Sequence, residues 1–181
     1  PKYITEFIVE ETVGKLFDDI VKDIERKLSE GNLQDVELLI DKLISVKILD
    51  PACGSGSFLV KALRAIWKRY KKVKEFLSNA FTSALKRGFS DESRKIGELL
   101  HKLGFGSNRD ALSKILLRHI YGNDLDRRAI EVAKVNLWLE AIKLSPGDFR
   151  YEVLPSDTNH VLPDLRANFS VGDSLIGLPI D

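Results

Sequence analysis

The sequence contains no methionine and one cysteine, Cys53, among 181 residues. A single cysteine excludes an internal disulfide framework and is typical of a reducing compartment, so we expect a cytoplasmic protein. No apolar run approaches the roughly 18 residues of a membrane span, and no basic-then-apolar leader opens the chain. We therefore expect no membrane partner and no secretory signal.

Neither sign of charge dominates, because 28 Lys and Arg residues face 27 Asp and Glu residues. The distribution is nevertheless uneven. Residues 61–119 hold 15 basic and 5 acidic residues, whereas the flanking stretches 1–46 and 120–181 are both net acidic. A local basic field of this kind attracts polyanions.

Strand and helix patterns alternate after a helical start. Apolar residues recur at helical spacing over residues 4–28 and 33–45 and again from Phe58 onwards. Ser107 and Asp126 are predicted to cap later helices, the second of which covers 127–144. Three short apolar runs are interpreted as strands, each followed by a turn of Gly, Asp or Ser: residues 46–49, 115–121 and 168–171. This alternation predicts an α/β fold with a parallel sheet.

An aspartate stands at or just after the end of each predicted strand. Ligands of parallel sheets bind outside the carboxyl ends of the strands, so this coincidence indicates a site. Asp50 opposes a pyrophosphate and favours a cationic amine, while Leu59 occupies the place of the third glycine of a dinucleotide motif. Asp124 suits ribose hydroxyls, and Asp173 suits an exocyclic adenine amine. The plainer alternatives are a tight turn for Gly54 and Gly56, a helix cap for Asp124 and a turn residue for Asp173. Because Asp126 is the better cap, we expect Asp124 to be free.

Three segments resemble a known family. Residues 48–59 (ILDPACGSGSFL) resemble the first cofactor motif of N6-adenine DNA methyltransferases from Type I and Type IIG restriction–modification systems. Residues 120–139 (IYGNDLDRRAIEVAKVNLWL) are similar to their second motif, and 162–165 with 172–177 resemble the third. Residues 1–13 look like the helix that precedes the cofactor site, without the Thr-Gly-x-Tyr-Tyr-Thr run that usually comes before its proline. The later motifs lean towards Type IIG.

The resemblance implies a Rossmann-like S-adenosylmethionine-dependent methyltransferase fold with S-adenosylmethionine as cofactor. Asp50 would hold the methionine amine, Asp124 the ribose, and Asp173 the adenine edge. The full set of cofactor-binding residues that it implies is Pro1, Tyr3, Asp50, Ala52, Cys53, Gly54, Gly56, Asp124, Leu125, Asp173 and Ser174. Cys53 is given no nucleophilic role, and no metal is expected.

The family's fourth motif, (Asn/Asp/Ser)-Pro-Pro-(Tyr/Phe/Trp), is absent, because no two prolines are adjacent in this sequence. In the family that motif accepts the protons of the adenine amine and stacks on the flipped base. We therefore expect an enzymatic parent protein but an inactive chain, with no catalytic residue of its own. Residues 1–181 are interpreted as a single truncated cofactor-binding domain, with N-terminal helices over 1–45 and a helix plus a helical insertion over 61–119.

The implied partner is double-stranded DNA, bound through the full-length enzyme. Four basic residues share one helix face and are interpreted either as a solvated surface or as contacts to DNA phosphates: Lys61, Arg64, Lys68 and Lys72. Without the fourth strand, at whose end the missing motif lies, the strand at 46–49 is expected to have an open edge, which pairs with a second copy or is covered by a helix.

Three other functions stay open at this point. A methyltransferase acting on RNA or protein would share the first two motifs. A non-catalytic module that binds nucleotides or DNA would keep the scaffold alone. A dinucleotide-dependent oxidoreductase is disfavoured by Asp50 and Leu59.

Overall fold

The computed structural model describes residues 2–149 and 162–176. The elements before the first strand are α1 (Lys2–Val9), a π-helical turn (Glu10–Gly14), α2 (Lys15–Ser29) and α3 (Leu33–Ser45). They are followed by β1 (Ile48–Asp50), α4 (Ser57–Arg87), α5 (Ser90–Leu103), α6 (Asn108–His119), β2 (Ile120–Asp124), α7 (Arg127–Leu144) and β3 (Phe169–Val171). Short 3₁₀ turns cover Pro146–Phe149 and Arg166–Asn168.

The three strands form one parallel sheet in the order β1-β2-β3. Asp50 lies opposite Gly122, and Asp124 lies opposite Val171. The structure thus confirms a parallel sheet within a mostly helical chain. Two predicted helix caps are also confirmed: Ser107 accepts a hydrogen bond from the backbone of Asp110, and Asp126 accepts one from Arg128.

The second predicted strand was partly wrong, because residues 115–119 belong to α6 and β2 begins only at Ile120. Ala111, Leu112, Ile115 and Leu116 are all fully buried at helical spacing, so this apolar run is the core face of a helix. Apolar periodicity over so short a run cannot separate a buried strand from a buried helix.

The predicted first helix is divided by the π-helical turn. Arg69 of α4 contacts this turn: its guanidinium donates to Glu10 at 2.6 Å and to Asp18 at 2.6 Å. Gly14 makes room for this cluster, since a Cβ there would lie 2.9 Å from Arg69 Nη2. The three charged groups therefore tie the N-terminal helices to α4.

Within the described residues, the apolar side chains that the sheet contributes to the core share one of its faces. Ile120 is fully buried on that face, where Ile48 and Phe169 also pack against the core. Leu49 points to the opposite face and is 63% exposed. Within the described part of the chain, β1 has a strand neighbour on one side only, so self-association through its open edge stays a prediction.

A buried histidine joins the helical layer to the start of the sheet. His119 Nδ1 lies 2.6 Å from the carbonyl oxygen of Val46, and its Nε2 lies 2.7 Å from the hydroxyl of Tyr70. Because a carbonyl only accepts, Nδ1 carries the proton and Nε2 accepts from Tyr70. This bridge fixes the entry of β1 against α4 and α6.

Among residues 2–149 and 162–176, no helix is long and apolar enough to cross a bilayer.

Candidate functional site

The carboxyl ends of the three strands meet at one edge of the sheet. Three loops follow them: residues 51–56 after β1, residues 125–126 after β2, and residues 172–176 after β3. Backbone hydrogen bonds join the first and third loops to the end of β2, from Cys53 N to the Asn123 oxygen at 2.9 Å and from Gly172 N to the Asp124 oxygen at 3.0 Å. The three sequence motifs are therefore contiguous in space.

The first loop turns sharply into α4. Asp50 Oδ1 accepts from Ala52 N at 3.2 Å, and Gly56 N donates to the Cys53 carbonyl at 2.8 Å. Gly56 has φ of +79°, and a Cβ there would lie 2.9 Å from Cβ of Ala133. Only glycine satisfies both conditions, so Gly56 lets the start of α4 approach α7 closely.

Asp126 and not Asp124 caps α7, as predicted, but the Asp124 carboxylate has backbone partners of its own. Its Oδ2 accepts from Gly54 N at 2.7 Å, and its Oδ1 accepts from Asp126 N at 2.9 Å. These backbone N–H groups, Asp126 first and Gly54 second, hold the pKa of the Asp124 carboxyl below its usual range. An ionised carboxylate has about four acceptor positions, so part of its capacity remains for a ligand. Asp124 is thus a fixed anion with spare acceptor capacity.

The third loop and the residue after Asp124 are open to solvent. Asp173 is exposed, and its Oδ1 accepts from the backbone of Leu175 at 2.9 Å. Ser174 is exposed beside it, and Leu125 is 72% exposed. These residues therefore present one carboxylate, one hydroxyl and one apolar side chain at the same edge.

Cys53 belongs to the first loop but its side chain is buried. Burial, together with the carboxylates of Asp50 and Asp124, raises the pKa of its thiol to about 11. Nucleophilic chemistry needs a thiolate, which this environment suppresses. Cys53 therefore contributes its backbone and its volume.

Of the two implied cofactor contacts at the N-terminus, only Tyr3 lies among the described residues. Tyr3 is 71% exposed on α1, and in the described part of the chain no hydrogen bond joins it to the strand-end loops. Helix α1 is tied to α4 by the ion pair of Glu6 with Lys61 at 3.0 Å. Pro1 lies outside the described residues, so its predicted role is untested.

The four basic residues predicted to contact phosphates are largely engaged within the molecule. Lys61 pairs with Glu6, and Arg64 makes a bidentate pair with the buried carboxylate of Glu140, with bonds of 2.5 and 2.8 Å. Lys72 lies 3.9 Å from Asp18. Lys68 is exposed and forms no ion pair with another described residue. Contact with DNA phosphates stays a prediction, and the ion pairs favour a structural part for Arg64.

Asn123, which the sequence did not single out, links the first and third loops. Its side chain donates to the carbonyls of Gly172 at 2.8 Å and Pro51 at 3.4 Å, and accepts from Ser170 at 2.7 Å. Asn136 of α7 was also missed, and its amide donates to the Ser55 carbonyl at 2.9 Å. Amide side chains beside a glycine turn were the available signal, but their partners are distant in sequence.

A separate cavity of about 880 Å³ lies between α6, α7 and residues 162–166. Two of its cations are already paired, Lys134 with Glu131 at 2.7 Å and Arg166 with Asp164 at 2.6 Å. It flanks the segment that leads into β3, not the loops that follow the strands. The strand-end loops are therefore the better candidate site.

The strand-end site offers hydrogen-bond acceptors and an apolar contact. Its carboxylates suit a ligand that carries an amine and a pair of hydroxyls, and they oppose a ligand whose phosphate would lie beside Asp50. In the part of the chain that the structure describes, no group of three His, Cys, Asp or Glu residues could hold a metal ion.

A family model described as "MmeI, DNA-methyltransferase domain" matches residues 25–168. A putative type II restriction enzyme and methyltransferase of Methanocaldococcus jannaschii, RM.MjaORFECS2P, is 29% identical over 192 residues. This alignment covers 97% of the present chain and 14% of that protein.

The type II restriction enzyme and methyltransferase RM.Eco57I of Escherichia coli is 30% identical over 135 residues, or 75% of the present chain. The alignment covers 12% of that protein, so the chain corresponds to a small part of each relative. No solved structure matches the chain significantly.

Proposed function

Because the chain belongs to the family of the MmeI DNA-methyltransferase domain, we propose that its strand-end loops bind S-adenosylmethionine. The observation that carries this proposal is Asp124, whose ionised carboxylate is fixed by Gly54 and Asp126 and keeps acceptor capacity open. A ribose offers two adjacent hydroxyls to such a group. An acidic residue at the end of the second strand is also the usual ribose contact in nucleoside-binding α/β folds.

The other loops suit the two ends of the same cofactor. Asp50 is half-buried at the end of β1, where its carboxylate attracts the methionine amine. Asp173 and Ser174 offer acceptors to the adenine edge, and Leu125 offers an apolar surface to the ring. The proposed fold is accordingly Rossmann-like, with the cofactor across the strand ends.

We propose double-stranded DNA as the substrate of the whole protein and N6 of adenine as the methyl acceptor, in a restriction–modification system. The family's description and both relatives' names support a DNA methyltransferase linked to restriction. The adenine preference rests on the resemblance of the three motifs. Cytoplasmic localisation stays a prediction from the single cysteine.

Methyl transfer itself needs groups that accept the protons of the adenine amine and hold the flipped base. The sequence has no adjacent prolines, so the motif that supplies those groups in the family is absent from these 181 residues. We therefore expect this chain to bind the cofactor and to leave adenine-containing DNA unmethylated.

The test is a calorimetric titration of the chain with S-adenosylmethionine, NAD and ATP in parallel. We expect saturable binding of S-adenosylmethionine alone, weakened by about tenfold to a hundredfold in Asp124→Asn, because bonds to a charged group are lost or weakened. Asp164→Asn is the matched control, since Asp164 also accepts from a backbone N–H, that of Arg166, but lies before β3. Binding of NAD instead, or unchanged affinity in Asp124→Asn, would overturn the proposal.

A further inference from the structure

We propose that Asn123 is a positioning residue that holds the first and third strand-end loops at the separation a single ligand requires. This inference rests on the proposed function, because it concerns the same cofactor. The motif resemblance assigns no role to Asn123, which lies between Gly122 and Asp124 at the end of β2. The hydrogen bonds of the Asn123 side chain support the positioning role.

Asn123 contacts the first and the third loop. Its Nδ2 donates to the carbonyl of Gly172 in the third loop at 2.8 Å and, over a longer 3.4 Å, to that of Pro51 in the first loop. Its own backbone oxygen accepts from Cys53 N at 2.9 Å. One residue thus joins both loops that flank β2.

The orientation of the amide follows from the chemistry of its neighbours. Two carbonyl oxygens can only accept, so the NH₂ group must face them. The Ser170 hydroxyl donates to Oδ1 at 2.7 Å and so fixes the opposite end of the amide. An aspartate has nearly the same shape but would place a carboxylate oxygen against two carbonyls.

The two carbonyls are adjacent to residues that face the proposed ligand. Pro51 follows Asp50, and Gly172 precedes Asp173, so each bond from Asn123 fixes the backbone beside one site carboxylate. A ligand that reaches both Asp50 and Asp173 depends on the distance between these loops. A ligand that lacks the methionine end depends on it less.

The experiment compares wild type, Asn123→Asp and Asn123→Ala by titration with S-adenosylmethionine and with 5′-methylthioadenosine, which lacks the amino-acid end. We expect Asn123→Asp to weaken the affinity for S-adenosylmethionine by on the order of tenfold or more, because repulsion adds to the loss of the hydrogen bonds. Asn123→Ala should weaken this affinity somewhat less, because a hydrogen bond alone contributes modestly. Binding of 5′-methylthioadenosine should weaken at most about threefold, since one hydrogen-bonded loop contact is lost instead of two. Equal weakening of both ligands, or none, would overturn the inference.

Ser170 supplies a matched pair of variants. Ser170→Thr keeps the hydroxyl that orients the amide and should bind like wild type, whereas Ser170→Ala should show a smaller version of the Asn123→Ala effect. Equal affinities in these two variants would contradict the proposed orientation.

Hydrogen exchange without ligand separates this inference from the proposed function. The amides of residues 52–54 and 173–175 should exchange faster in Asn123→Asp than in wild type, while those of α4 stay protected. If wild type fails to bind S-adenosylmethionine, the proposed function fails, and the exchange data still decide whether Asn123 holds the loops. Unchanged exchange in both loops would overturn the positioning role.

Discussion

The strand-end site and the buried bridge of His119 are both polar, but they use their hydrogen bonds differently. In the bridge, both ring nitrogens of His119 have internal partners, Val46 and Tyr70, and the ring is fully buried. At the strand ends, Asp124 is half-buried and uses only part of its acceptor capacity on Gly54 and Asp126. The first arrangement is closed and the second is open.

This difference separates stabilising polar groups from ligand-binding ones. A buried polar group with all its partners inside the fold contributes to stability and to a unique packing, and it has nothing left for a ligand. A carboxylate held rigidly by backbone N–H groups at a sheet edge is oriented without being used up. Variants in the bridge should therefore change stability, and variants at the strand ends should change binding.

The largest expected effect is the pH dependence that His119 gives to the free energy of unfolding. Burial, opposed by the bond to Val46 and aided by the nearby Arg118, lowers the pKa of His119 from its ordinary 6.5 to about 4. Above pH 6.5 the imidazole is neutral in both states. Between pH 6.5 and 4 the unfolded chain takes up the proton and the folded chain does not, so stability should fall by about 3 kcal/mol.

Urea unfolding of wild type and His119→Leu from pH 7 to pH 4 measures this contribution. The difference in stability between the two proteins should shift by that amount as the pH falls, in favour of His119→Leu. Tyr70→Phe retains the buried imidazole, so its pH dependence should remain. Parallel curves for wild type and His119→Leu would assign acid sensitivity to carboxylates such as Glu10 and Asp18, whose pKa values Arg69 lowers.

A smaller effect is expected at Gly122, where the closed core meets the open edge. A Cβ at Gly122 would lie 2.5 Å from the ring of Phe169 and 3.1 Å from Sγ of Cys53. Gly122→Ala should cost about 1–3 kcal/mol of stability through overpacking. The variant should also weaken the binding of S-adenosylmethionine, because β3 and the first loop must shift apart.

Gly172→Ala is the control for this variant, as a Cβ at Gly172 meets nothing within 4 Å. Thermal unfolding and titration of both variants test the prediction. Equal stability of the two alanine variants would show that the strand ends tolerate displacement, and the contrast between a rigid core and an open edge would then be lost.

Local signals in the sequence predicted much of this edge. The caps at Ser107 and Asp126 depend on residues two or three positions away, which a linear pattern records. The parallel sheet followed from alternating strands and helices, although its second strand was placed too early. The three aspartates were found because each stands beside a turn residue.

Long-range partners were not predictable in the same way. Arg69 bonds to Glu10, 59 residues earlier, and this cluster accompanies a π-helical turn that apolar periodicity cannot reveal. Asn123 reaches Pro51 and Gly172 across strands whose neighbours are known only once the sheet forms. The commitment of Asp124 to Gly54 was missed for the same reason.

The smallest structural effect is expected at Cys53. This residue lies in the first strand-end loop, but its side chain is buried in the core. A thiol with a pKa of about 11 holds far less thiolate at pH 8 than an ordinary cysteine, and the higher nucleophilicity of that thiolate offsets only part of the loss, so alkylation by iodoacetamide should be slower by on the order of tenfold. Exposure of only 6% slows the reagent further. Mass spectrometry over a time course measures the rate.

A thiol moved by two positions sharpens this last comparison. Ser55 is exposed in the same loop, so a chain carrying Cys53→Ala and Ser55→Cys should react at the rate of a free cysteine. Similar rates at positions 53 and 55 would mean that the first loop opens readily and that Cys53 is not part of the core. A large ratio would place the boundary between core and ligand-facing edge within three residues, between the buried Cys53 side chain and the exposed Ser55. The backbone of this short loop would then be open to the proposed ligand, while the side chain of Cys53 packs in the core.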